Sequence, residues 1–73
     1  MSGAVRILGV DPGSVTTGYG IVDSDGRTSR LITHGCIRAG RGQLPARLGT
    51  IYRELSAILS EHEPAEMAVE EVF

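Results

Sequence analysis

The 73-residue sequence contains no lysine, no tryptophan, a single cysteine and no apolar run longer than a few residues. With Cys36 alone, no disulfide can form within the chain. The amino terminus also lacks a basic segment leading into an apolar stretch of secretory length, so a reducing, cytoplasmic setting is expected. A helix that crosses a bilayer needs about 20 apolar residues, so no helical membrane span is expected. A chain this short sits near the lower size limit for an independent domain and holds one domain or part of one.

The formal net charge is -2, a sign that by itself argues against a phosphate-binding surface. The charges are nonetheless segregated. Arg27, Arg30, Arg38, Arg41, Arg47 and Arg53 occupy a stretch without Asp or Glu, whereas Glu54, Glu61, Glu63, Glu66, Glu70 and Glu71 follow without an arginine. Such blocks are ordinarily solvated faces, although the planar guanidinium suits phosphate.

Val5 to Val10 forms a short apolar run that ends at Asp11-Pro12-Gly13-Ser14, a strand followed by a tight turn. Tyr19 to Asp23 reads as a second strand, and the Asp-Gly pair at 25–26 predicts a hairpin into a third strand over Ser29 to Arg38. These three strands should pair antiparallel. After Ala39 to Gln43, apolar residues at Leu44, Leu48, Ile51, Tyr52, Leu55, Ile58 and Leu59 fall at helical spacing, with Pro45 in the first turn and Pro64 as the stop. Glu66 to Phe73 reads as a fourth strand, and a right-handed crossover places it parallel to the first. The expected fold is therefore α/β, with the helix covering one face of a mixed sheet and supplying its core. The sequence stops inside an apparent apolar strand, which predicts that it is a truncated part of a larger domain.

If the first and fourth strands are parallel neighbours, Asp11 and Glu70 converge at one edge of the sheet. Magnesium prefers oxygen ligands at about 2.0–2.1 Å and keeps several waters, so a few carboxylates beside a substrate phosphate suffice to hold it. From spacing alone Asp11 is equally a turn former before Pro-Gly, and Glu70 equally a solvent-facing strand residue. Cys36 is expected to be a small buried hydrophobe, and His34 and His62 to be surface or capping residues.

The stretches ILGVDPGSVTTGYGIV, GCIRAG, LPARLGTIY and EPAEMAVEEVF, in this order and across nearly the whole chain, resemble the RuvC family of Holliday-junction resolvases. The resemblance implies a ribonuclease-H-like fold, with residues 1–73 as the amino-terminal part of one nuclease domain. It further implies a homodimer that cuts opposed strands of a four-way DNA junction, leaving 5′-phosphate and 3′-hydroxyl ends, and that works with a branch-migration helicase. Asp11 matches the family's first catalytic aspartate and Glu70 its glutamate, while Glu71 stands where glutamine is more usual. Phe73 matches a phenylalanine that contacts bases, a stacking role set against that of an ordinary apolar strand residue. Gly13 and Ser14, in the turn after Asp11, and Gly18 are the further candidates for contact with the DNA backbone, although tight turns and strand bends explain the glycines equally well. Val15 departs from the arginine common in the family and removes one phosphate contact. Hydrolysis with two Mg2+ ions is expected, and because the remaining acidic ligands lie beyond position 73, this chain alone should be inactive.

Three other readings use the same residues. In an ATP-binding domain of the actin, sugar-kinase and Hsp70 group, Asp11 would hold magnesium–nucleotide while Gly13 and Ser14 face phosphate. Pro12 and the AVEEVF strand after a single helix favour the nuclease. A RuvC-like ribosomal-RNA processing nuclease would keep the metal chemistry and change the substrate. A non-catalytic interaction fragment would use its fourth strand to pair with a partner.

Overall fold

The computed structural model describes residues 3–13 and 16–69. Strands β1 (Val5–Asp11), β2 (Thr16–Ser24) and β3 (Ser29–Arg38) precede helix α1 (Leu44–His62) and strand β4 (Glu66–Val69). They form one four-stranded sheet of order β3-β2-β1-β4. β1 and β3 are each antiparallel to β2, while β4 lies parallel to β1, as the crossover requires.

The hairpin between β2 and β3 is closed locally. One oxygen of Asp25 accepts hydrogen bonds from the backbone N–H groups of Arg27 (2.9 Å) and Thr28 (2.8 Å), and Gly26 takes a φ of +88°, which glycine adopts without steric cost. β2 begins at Thr16, three residues earlier than the apolar pattern predicts. Gly18 and Gly20 obscured that start, because their β propensity is poor; cross-strand pairing on both sides overrides it. A register irregularity at Ile21/Val22 leaves Ile32 between the partners Leu31 and Thr33, a bulge on β3.

Alternation decides the core. Leu8, Val10, Ile21 and Ile37 share one sheet face and are buried there with Ile58 of α1; Ile51 and Leu55 pack against them. The helix covers less of the sheet than its apolar stripe suggests, since Leu44, Leu48, Tyr52 and Leu59 remain exposed. Tyr52 and Leu59 sit about 80–100° around the helix from the Ile51–Ile58 seam, at 3.6 residues per turn, so they miss the sheet. Leu44 and Leu48 lie in the first turns of α1. Cys36 is exposed, contrary to expectation, because its neighbour Ile37 takes the core-facing position and alternation turns Cys36 to the opposite face.

α1 begins after Gln43 with proline in its first turn and ends at Glu63, whose left-handed φ of 48° lets its N–H donate to the Leu59 carbonyl at 2.9 Å. The chain then joins β1 through the Ala65 N–H, which donates to the Arg6 carbonyl at 2.8 Å. Arg6 also grips Asp23 of β2 with two parallel hydrogen bonds (2.8 and 2.9 Å) and reaches the His62 carbonyl at the end of α1 (3.4 Å). One side chain thus ties two strands to the helix terminus.

Candidate functional site

Asp11 is the last residue of β1, exposed, with Gly18 as its cross-strand partner. On the other side of β1 the parallel register sets Val10 beside Val69, the last described residue of β4. An open groove of about 510 Å³ runs along this end of the sheet and is lined by Asp11, Gly9, Gly18, Gly20, Ala68 and Val69, among others. Four of the lining residues, Gly9, Gly18, Gly20 and Gly35, are glycines, so backbone rather than side chain forms much of the wall.

The sequence folds this way for steric reasons. A Cβ on Gly13 would collide with the carbonyl oxygen of Thr16, so the turn that carries the chain from Asp11 into β2 excludes any side chain there. A Cβ on Gly18 would stand 3.9 Å from that of Asp11, an ordinary contact; the glycine leaves open space next to the carboxylate rather than relieving a clash. Across β2, Tyr19 lies over Gly35 so closely that a Cβ on Gly35 would come within 2.8 Å of the phenolic oxygen. Tyr19 and Gly35 both line the groove, and the aromatic ring covers the strand glycine. The signal for it, TGYG facing HGC at paired positions, is visible only once the register is known.

Of the residues singled out in the sequence, the structure places Asp11 at the groove and Gly13 in the adjoining turn. Ser14, Glu70 and Phe73 lie outside the described residues, as do Val15 and Glu71. Among the described residues no group of three His, Cys, Asp or Glu side chains is arranged to hold a metal ion. What they offer a hard cation is one exposed carboxylate, Asp11, at a strand end with open space around it, which is the right donor chemistry but an incomplete set. Cys36 and Arg38 follow on β3: Gly18 pairs with both Asp11 and Cys36, and Thr16 pairs with Arg38. Sequence reasoning gave neither a place at the site. At the far end of the sheet, the Arg6 hydrogen bonds hold the Asp23 carboxyl below its ordinary range.

The family described as crossover junction endodeoxyribonuclease RuvC matches residues 7–73. Relatives with that name from Halorhodospira halophila and Alkalilimnicola ehrlichii are 55% and 48% identical, each over 93% of this chain and 41% of the relative. This chain therefore spans about two fifths of the length of the curated relatives it matches. Among solved structures, T. thermophilus RuvC in complex with Holliday junction substrate superposes with a TM-score of 0.81 at 26% identity, over 94% of this chain and 43% of that one. An Aquifex aeolicus PPX-GPPA enzyme superposes at a TM-score of 0.69 and 14% identity, a likeness of fold alone, over 90% of this chain and 26% of that one.

Proposed function

We propose that this chain, which belongs to the RuvC family of crossover junction endodeoxyribonucleases, supplies part of the active site of a magnesium-dependent nuclease that resolves four-way DNA junctions. The observation that carries the reading is the parallel pairing of Val10 with Val69. Asp11 follows the first and Glu70 the second in sequence, which is why the two carboxylates are read as one pair.

In this reading Asp11 and Glu70 hold magnesium, with two ions per complete site. Bound magnesium supplies Lewis acidity and offsets the charge that builds on a phosphodiester under attack. The chain's own contributions are orientation and access. β1 fixes where Asp11 sits, the Gly13 turn sets how the chain leaves Asp11, and Gly18 leaves room for a phosphate beside the carboxylate. Ser14 and the backbone at Gly13 contact the DNA backbone, and Phe73 stacks on bases near the crossover. Hydrolysis leaves 5′-phosphate and 3′-hydroxyl ends in DNA undergoing recombination and repair. The full assembly is a homodimer, served by a branch-migration helicase in the cytoplasm; no helix among the described residues is long and apolar enough to cross a membrane.

Substitution separates this assignment from its neighbours. Asp11→Asn and Glu70→Gln should each slow magnesium-dependent junction cleavage by about a hundredfold or more, since an ion contributes several kcal/mol and each ~1.4 kcal/mol is tenfold. Glu71→Gln should leave the rate near that of the parent, and the isolated 73-residue chain should not nick. Equal losses from Glu70→Gln and Glu71→Gln, or metal-dependent nicking by the isolated chain, would refute the ligand assignment.

A further inference from the structure

We infer that Arg38 binds a DNA phosphate on the same sheet face as Asp11, one that flanks the phosphate to be cleaved beside Asp11; this rests on the reading of Asp11 given above.

The placement follows from register. Leu8, Val10, Thr17, Ile21 and Ile37 are the buried positions of β1, β2 and β3, so the helix-covered face is fixed. Residues that alternate with them face the other way, and Asp11, Gly18, Cys36 and Arg38 are all of that set. Asp11 closes β1 and Arg38 closes β3, and both ends lie at the same edge because β2 runs antiparallel to each. Two strand spacings of about 5 Å and two residues of about 3.4 Å each separate them, a Cα distance of about 12 Å. A DNA strand carries a phosphate about every 3.4 Å of helix axis, so a guanidinium reaching inward from that distance meets a phosphate a few nucleotides at most from the one at Asp11.

Among the described residues the row between Asp11 and β3 carries no bulky side chain. Gly18 is the only residue between Asp11 and Cys36 in their row across the sheet, and it presents no side chain. Charge points the same way. Arg6 is committed to Asp23 and Arg53 donates to Thr50, whereas Arg38 is exposed and has no carboxylate within ion-pair distance among the described residues. An exposed arginine on the same sheet face as the Asp11 carboxylate provides the planar, two-pronged donor that a phosphodiester accepts.

The test is the salt dependence of binding, measured on the protein that carries this chain with a four-way junction and without divalent metal. Each phosphate contact on duplex DNA contributes about 0.9 to the slope of log affinity against log salt. Arg38→Ala and Arg38→Gln should each flatten that slope by about one contact and raise KM in the metal-dependent reaction without changing kcat. Arg38→Lys should restore the slope, and Arg27→Ala, in the hairpin at the opposite end of the sheet, should leave it as in the parent. Two substitutions of different shape guard against a folding artefact. An unchanged slope in both, with a parent that binds and cleaves, would overturn this inference while leaving Asp11 in place; so would an equal loss in Arg27→Ala. A parent that neither binds nor cleaves junctions would overturn both readings.

Discussion

Gly13 and Gly42 show how differently two glycines on one chain can be constrained. At Gly13 a Cβ would meet the Thr16 carbonyl oxygen, which is backbone and cannot swing aside; at Gly42 nothing stands within 4 Å and φ is not positive. Gly13→Ala should therefore destabilise the protein by about 1–3 kcal/mol, the range for overpacked sites, and disturb Asp11 with it. Gly42→Ala should instead stabilise by about 0.4–1 kcal/mol through the unfolded chain. Urea denaturation of the two variants checks both signs. The motif DPGS made Gly13 visible in the sequence as a turn residue, but the reason only glycine fits there is a contact with Thr16 that no motif states. Cys36 was misjudged at the same scale: composition says cysteines are often buried, yet the strand's alternation decides, and Ile37 takes the inward position.

Among elements, most of the fold was legible. The third strand, the Asp-Gly hairpin, the helix from Leu44 and the parallel fourth strand were all readable from period and punctuation, because each rests on local pattern. What escaped was nonlocal. The start of β2 at Thr16 depends on pairing with Arg38, and the Arg6–Asp23 pair depends on the β1–β2 register. That pair has a measurable consequence, since it joins β1 and β2 and touches the end of α1. The Asp23 carboxyl is held below its ordinary value of 3.8 chiefly by the Arg6 hydrogen bonds, and Asp25 is lowered mainly by the backbone N–H groups of Thr28 and Arg27. A carboxylate whose folded value is depressed contributes stability that is present in full above its unfolded value and is lost as pH falls through the folded one. Melting temperature should accordingly fall as pH drops below about 3.8, and Asp23→Asn should be less stable at neutral pH with a shallower acid decline. A decline of equal steepness in parent and variant would show that the pair does not couple folding to pH.

For the whole molecule, the candidate site divides between what the structure describes and what the sequence carries. Asp11, its groove and the parallel register are placed; Glu70 and Phe73, proposed from the AVEEVF motif, lie outside the described residues. The phosphate-binding potential of Arg38 was invisible in sequence, because an arginine among six in one acid-free stretch has no distinguishing neighbour until β3 is laid beside β2. The apolar stripe of α1 was legible as a stripe, but its extent exceeds the sheet it covers. Leu44, Leu48 and Tyr52 stay exposed on the helix, and Met67 and Val69 on β4. The matched relatives are more than twice the length of this chain.

The central claim is that Asp11 serves metal-dependent cleavage of branched DNA. The most direct test compares a labelled four-way junction with a linear duplex, in magnesium, using the protein that carries this chain and its Asp11→Asn variant. Paired nicks are expected on opposed strands of the junction, with little cutting of the duplex, and the nicks should be lost in the variant with junction binding retained. Nicks that persist in Asp11→Asn, or cutting of both substrates alike, would contradict it.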